Sequence, residues 1–263
     1  MKILIPPPLP PVDSVALQTL KADLGETNTP WSGSSPRKWA NSITNDLGDA
    51  LGLPDEYLSR DRLFSLWSNP RSIEAAFLAT MAWGGMKRGH GRLIWKHRTA
   101  WAPICEKMAS GDLGPTEAYA AFLLKRMEYQ LPGMGPAYFT KLIFFATCAH
   151  RKAFGNAFIL DQWTARSVHC LTNQFEWPRV SVDYATKNRF KQSKSPSAVR
   201  VTVSDRVSAS DYQKYCQFVD ELARTLAVDP PYLLEEKMFG AGGRSPSGWR
   251  LFLMQNGGRY LNC

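Results

Sequence analysis

The chain has 263 residues, 44% of them apolar, 12% aromatic and 21% charged, with a formal net charge of +9. This is enough for one large domain or two small ones with a real core, and the apolar share is ordinary for a globular protein. The cation surplus favours a polyanionic partner, nucleic acid first, although lysines scattered over a soluble protein give the same sum.

No apolar run is long enough to span a bilayer. Met1-Lys2-Ile3-Leu4-Ile5, ahead of the prolines, is too short for a signal peptide. A cytoplasmic or nucleoid-associated protein with no membrane contact is therefore expected. The five cysteines, Cys105, Cys148, Cys170, Cys216 and Cys263, are far apart and none has C-x-x-C spacing. That argues against a zinc site or a cysteine-ligated iron–sulfur cluster and for buried reduced thiols. No metal and no cofactor are expected.

In chain order, residues 6–11 (PPPLPP) read as extended polyproline. Polar turn-formers from Thr27 to Arg37 suggest an irregular N-terminal arm, which divides the chain into an arm over 1–38 and a helical domain over 39–263. Helical patterning begins near Trp39. Ser59-Arg60-Asp61 precedes Leu63-Phe64 and Leu66-Trp67, and Asn69-Pro70 matches an N-cap and first helical position for a segment through Met81. Gly84, Gly85, Gly89 and Gly91 then break the chain. A helix is expected from about Arg92 to Met108. Pro115 opens the next, with Tyr119, Phe122, Leu123 and Met127 on one face. Helix resumes after Asp161, where Trp163, Val168 and Leu171 can face inward.

Residues 174–208 differ. Val180, Val182, Val199, Val201 and Val203 stand among polar residues and cations, which reads as a basic insertion, a small irregular or β hairpin, in a mainly α protein. Ser208-Ala209-Ser210-Asp211 starts a long amphipathic helix through Leu226. Asp229-Pro230-Pro231 begins the last strong helix, which ends near Gly240. No internal repeat is present.

Chemistry concentrates between residues 131 and 161. Leu131-Pro132-Gly133-Met134-Gly135-Pro136 is a glycine hairpin that opens a helix. Glycine lets the backbone turn sharply and approach a ligand, and proline suits the first helical turn. The amides at such a helix start can hold a phosphate oxygen without reading base sequence. A plain turn between two helices would have the same sequence. The following helix is apolar, with Phe139, Leu142, Ile143, Phe144 and Phe145, and Lys141 is its one charge before His150. Lys141 either snorkels to the surface or is a partly desolvated amine able to act as a nucleophile. Asp161 follows Phe158-Ile159-Leu160 and is placed to N-cap the next helix. A carboxylate at that junction can also face a cleft and stabilise an oxocarbenium-like sugar.

The stretch from Leu131 to Val168 resembles the hairpin-to-aspartate segment of the helix-hairpin-helix DNA glycosylase superfamily. The resemblance is carried by Leu131-Pro132-Gly133-Met134-Gly135 and Ile159-Leu160-Asp161-Gln162, with Arg166 and Val168 following. The helices over Tyr212 to Leu226 and Pro231 to Gly240 look like the last helices of 8-oxoguanine glycosylase-like bacterial proteins. The resemblance implies a two-lobed helical fold with a central cleft. It implies extrusion of a modified nucleotide from double-stranded DNA and cleavage of its N-glycosidic bond assisted by Asp161; a monomer is expected. It places Pro132, Gly133, Met134 and Gly135 on DNA. Bifunctional members carry a lysine two residues after the second hairpin glycine, where this chain has Ala137. Lys141 lies one turn further along the same face. Either Lys141 substitutes, or water completes the reaction and leaves an abasic site.

Trp83, Gln162, Trp163 and Phe239 are candidates for the base pocket, with core packing the alternative for the aromatics. Lys87-Arg88-Gly89-His90-Gly91-Arg92 reads as a phosphate-contacting loop or a solvated turn. Lys187, Arg189, Lys191 and Lys194 can track a DNA backbone or form a charged loop. The function expected is excision of a modified base, in DNA repair or in antiviral defence against hypermodified phage DNA. The alternatives are a bifunctional 8-oxoguanine glycosylase and lyase using Lys141, and a non-catalytic DNA-binding module.

Overall fold

The computed structural model describes residues 10–26, 31, 33–68, 70, 72–174, 177–183, 200–240 and 246–256. Among these residues the fold is mainly α, as the sequence pattern predicts. The helices are α1 (Ser14–Leu24), α2 (Pro36–Ile43), α3 (Leu47–Ala50), α4 (Arg60–Ser68), α5 (Ile73–Trp83), α6 (Arg88–Lys96), α7 (Arg98–Ser110), α8 (Pro115–Met127) and α9 (Pro136–Ala146). A 3-10 turn (Cys148–His150) leads to α10 (Arg151–Phe154), then α11 (Gln162–Thr172), α12 (Ala209–Thr225), α13 (Tyr232–Phe239) and α14 (Gly248–Asn256). Between α11 and α12, β1 (Val180–Asp183) pairs antiparallel with β2 (Arg200–Val203), Val180 opposite Val203. The insertion therefore does carry a small hairpin, in keeping with the preference of β-branched valine for strands.

The helices sort into two groups. In one, α2 packs on α3, α5 and α6, while α4, α5, α7, α8 and α9 pack around one another with α12 laid against α8. In the other, α1, α11, α13 and α14 pack together, so the two ends of the described chain meet. Residues 14–24, inside the segment read as an arm, are thus a core helix. Asp13 caps α1 by accepting from Ala16 N at 2.9 Å, and Ala16 and Leu20 are buried. Asp23 Oδ1 accepts from Trp249 N at 3.1 Å, tying α1 to α14.

Other boundaries differ from the pattern for physical reasons. Ser72, accepting from Ala75 N, is the N-cap of α5, so that helix starts after Pro70; Asn69 lies outside the described residues. Gly89 and Gly91 lie inside α6 rather than in a loop. A β-carbon on Gly91 would stand 2.8 Å from the Trp39 ring, so glycine there lets α6 and α2 approach closely. The helix expected over 92–108 is two helices, α6 and α7, broken at His97. Tyr119 and Phe122 are buried as expected, while Met127 is exposed. Residues 6–9 of the proline stretch, Cys263 and the basic run Lys187, Arg189, Lys191 and Lys194 lie outside the described residues.

Candidate active site

The hairpin is built to hold one shape. Leu131 and Met134 are buried and anchor it in the core. Gly133 has φ +77°, and a β-carbon there would lie 3.0 Å from the His90 ring, so the position requires glycine twice over. Arg126 ties the hairpin down: Nη1 donates to Leu131 O at 3.0 Å, and Nε and Nη2 donate to Asp205 Oδ2 at 3.2 and 3.1 Å. Gly135 is the N-cap of α9 and brings no side-chain cap. The first amides of α9 are therefore left uncapped by any side chain, the arrangement that suits an anion.

Residues 157–160 run extended and buried toward Asp161. Their backbone groups are satisfied by side chains, as buried backbone must be. The Tyr212 and Tyr215 hydroxyls donate to Phe158 O and Ile159 O at 3.0 and 2.7 Å. Leu160 N donates to the Thr140 hydroxyl at 3.1 Å. Asp161 then begins α11 in a capping box: its N–H donates to Thr164 Oγ1 at 2.9 Å, and Oδ1 accepts from Trp163 N at 2.8 Å and Thr164 N at 3.2 Å. Capping uses Oδ1. Oδ2 lies 3.9 Å from Lys141 Nζ. The two residues are 7% and 5% exposed.

Lys141 reaches this place because Gly84 leaves room; a β-carbon on Gly84 would stand 2.7 Å from Lys141 Cδ. Nζ donates to Ala137 O at 2.6 Å and sits 5.9 Å from the Tyr138 ring centroid. Burial lowers the lysine pKa, and the Asp161 charge opposes that.

Asp161 and Lys141 line a cavity of about 750 Å³ between the two groups of helices. Trp83 comes to it from α5, Gln162 and Trp163 from α11, and Phe239 from α13. The candidate pocket residues are thus brought together around Asp161. Lys87 and His90 also line it, at the start of α6. Pro132, Gly133, Met134 and Gly135 do not; they sit at the head of α9, which sends Tyr138 and Lys141 into the wall. Val201, Thr202 and Val203 of β2 form another part of the wall. Gln162 lies between that strand and α11: with its amide turned so that nitrogen and oxygen exchange places, the nitrogen donates to Val201 O at 2.8 Å and the oxygen accepts from Trp163 Nε1 at 3.1 Å.

Sequence reasoning missed Trp31, Arg60, Tyr138 and Arg250 in this wall. Trp31 and Trp83 exchange indole-to-carbonyl bonds at 2.6 and 3.2 Å. Arg60 pairs with Glu235 at 2.6 Å. Trp31, Arg60 and Arg250 have no local motif and are placed by long-range packing, while Tyr138 is carried in by α9 beside Lys141. Among the described lining residues, Arg60, Lys87, Lys141 and Arg250 are basic and Asp161 alone is acidic, so the cavity favours anionic or electron-rich ligands. No group of three or more His, Cys, Asp and Glu among the described residues is placed to hold a metal ion. No helix among them is long and apolar enough to cross a membrane.

The fold thus joins a glycine hairpin that opens α9 to a carboxylate that caps α11, both beside one cavity. A model of the family described as "Putative 8-oxoguanine DNA glycosylase OGG-like protein" matches residues 25–239, and the chain belongs to this family. Neither the curated proteins nor the solved structures hold a match to the chain.

Proposed function

We propose that the protein is a DNA glycosylase that draws a modified nucleotide out of duplex DNA into this cavity and hydrolyses its N-glycosidic bond, leaving an abasic site. The observation that carries the reading is the division of labour on Asp161. Oδ1 is spent on the helix cap, while Oδ2 faces Lys141 in a cavity walled by Trp31, Trp83, Trp163 and Phe239. A carboxylate so fixed stabilises positive charge on the sugar as the base departs with the bonding electrons. Water then adds to the sugar carbon, and the aromatic wall offers stacking surface for an unstacked base. The uncapped start of α9 serves as the phosphate contact.

Asp161→Asn tests this. Asparagine caps a helix about as well as aspartate, so melting should be unchanged while base release falls by at least ~100-fold. Retained turnover would sink the assignment.

The family makes oxidised guanine the default base. A cavity of about 750 Å³ is in the range that holds drug-sized ligands, more than a bare base needs. With a wall built from the 174–208 insertion, it also suits a bulkier base such as glucosylated hydroxymethylcytosine, whose excision would be an antiviral activity. The protein is incubated with an 8-oxoguanine duplex, unmodified genomic DNA and phage DNA carrying modified cytosines, and abasic sites are counted. Release from the 8-oxoguanine duplex alone eliminates the defence reading; release from phage DNA alone eliminates the repair reading.

A second reading rests on Lys141. Its amine stands in the same cavity as Asp161 with a lowered pKa. A neutral amine there would attack the sugar carbon and displace the base, which takes one amine proton; the carbon's bond to the ring oxygen then breaks, the oxygen takes the second proton, and the resulting Schiff base leads to strand cleavage.

A further inference from the structure

Arg250 enters the cavity from α14, beyond the residues the family match covers. Its guanidinium carbon lies 3.4 Å from the Trp163 ring centroid and 5.4 Å from that of Phe239. Nη2 donates to Gly240 O at 3.0 Å. Gly240 has φ +66°, and its β-carbon would stand 3.2 Å from Arg250 Nε, so the backbone is pressed onto the side chain. Arg250 is 6% exposed, and its Nε has no hydrogen-bond partner among the described residues. No carboxylate among them forms an ion pair with it. Burial lowers its pKa to about 10, against the favourable field of Asp161 and with the help of the Arg166 charge. It remains a cation at neutral pH. A buried guanidinium stacked on an aromatic ring in the cavity wall, with no paired carboxylate among the described residues, is a site suited to an acceptor.

The chemistry of the proposed reaction supplies that acceptor, and the inference rests on that reading of the cavity. When the bond from the sugar carbon to the base nitrogen breaks, its electron pair leaves with the base. Negative charge grows on the base while positive charge grows on the sugar. Water then gives its hydroxyl to the sugar carbon and its proton to the base. Asp161 serves the cationic fragment. We propose that Arg250 forms the leaving-base subsite: stacked on Trp163, it hydrogen-bonds an oxygen or ring nitrogen of the extruded base and holds the charge that the base carries away. Trp163 couples the two halves, since its backbone N–H donates to Asp161 Oδ1 and its ring carries the Arg250 guanidinium. The ligand class is a planar heterocycle that presents carbonyl-type acceptors and can carry negative charge.

The test needs no turnover. The full-length protein is saturated with a duplex containing a tetrahydrofuran abasic-site analogue. It is then titrated at fixed ionic strength with barbiturate, an anionic pyrimidine at neutral pH, and with uracil, its neutral counterpart. The unmodified protein should bind barbiturate roughly tenfold more tightly than uracil, the size of one charge-assisted hydrogen bond. Arg250→Met should bind duplex normally and lose the preference. If that variant does not fold, Arg250→Lys reads the same contact, because an ammonium cannot keep the stacked fork, and the preference should fall severalfold. Equal binding of the two heterocycles by the unmodified protein, or a preference untouched in either variant, overturns the subsite. A protein that generates abasic sites but shows no anion preference is a glycosylase without this subsite. A protein that shows the preference through Arg250 but generates no abasic sites has the subsite and is not a glycosylase.

Discussion

At the scale of single residues, Lys141 decides between the two chemistries. Bifunctional members of the resembling superfamily carry lysine where this chain has Ala137, and here the Ala137 carbonyl instead accepts from Lys141 Nζ at 2.6 Å. Burial lowers the lysine pKa, and the Asp161 and Glu235 carboxylates oppose it. Because Ala137 stands where those members carry lysine and its carbonyl engages the Lys141 amine, we expect hydrolysis. Borohydride added to a reaction on abasic-site DNA should then trap no covalent adduct. An adduct formed by the unmodified protein and absent in Lys141→Ala would make Lys141 the nucleophile and establish the lyase reading.

At the scale of elements, α11 ties the site to the inserted hairpin. His169, buried in α11, contacts Pro178 O through Nε2 at 2.7 Å, just ahead of β1. Burial pushes its pKa down from 6.5 to about 4, so the folded state holds it neutral where the unfolded chain would protonate it. A depressed pKa contributes stability that is present above pH 6.5 and lost as pH falls toward 4. The loss amounts to about 3 kcal/mol. His169→Gln should remove that part of the acid sensitivity in melting curves recorded from pH 7 to 4; an identical slope in the variant would show that other groups cause it. Much around α11 was legible in the sequence, because the signals are local. An aspartate ending an apolar run announces its own cap, Gly133 and Gly135 before Pro136 announce a hairpin, and Ser208 and Pro115 announce helix starts. α1 and α14 were not legible. α1 lies ahead of a run of turn-formers, and α14 follows a glycine-rich break whose one signal is Ser247, which caps it by accepting from Arg250 N at 3.2 Å. Trp31, Arg60 and Arg250 were lost with the long-range packing, since their roles depend on helices far apart in sequence meeting at one cavity. Conversely, the glycines of α6 looked like breakers because the sequence does not show Trp39 pressing on Gly91.

At the scale of the whole molecule, the two groups of helices are joined across the cavity by a buried ion pair. Arg60 of α4 and Glu235 of α13 meet at 2.6 Å and are 7% and 0% exposed. Burial pushes the Glu235 carboxyl up to about 7 although Arg60 opposes it. Burial also works against the Arg60 charge, and the Glu235 and Glu236 carboxylates more than offset that. Arg60 further lies 5.4 Å from the Trp83 ring centroid and lines the cavity, so the pair reaches the cavity wall. Two charges removed from water in this way add little net stability together, but either alone is costly. Glu235→Leu should therefore destabilise the protein by about 3–5 kcal/mol by stranding Arg60. Adding Arg60→Met should recover most of that loss, because the remaining contacts, Phe64 and Phe144 against Tyr232, are apolar and stay in place. Denaturant unfolding of the two single variants and the double variant closes the cycle. If the double variant is as unstable as the sum of the singles, the pair does not act as a unit, and the apolar contacts alone hold the two groups of helices in register.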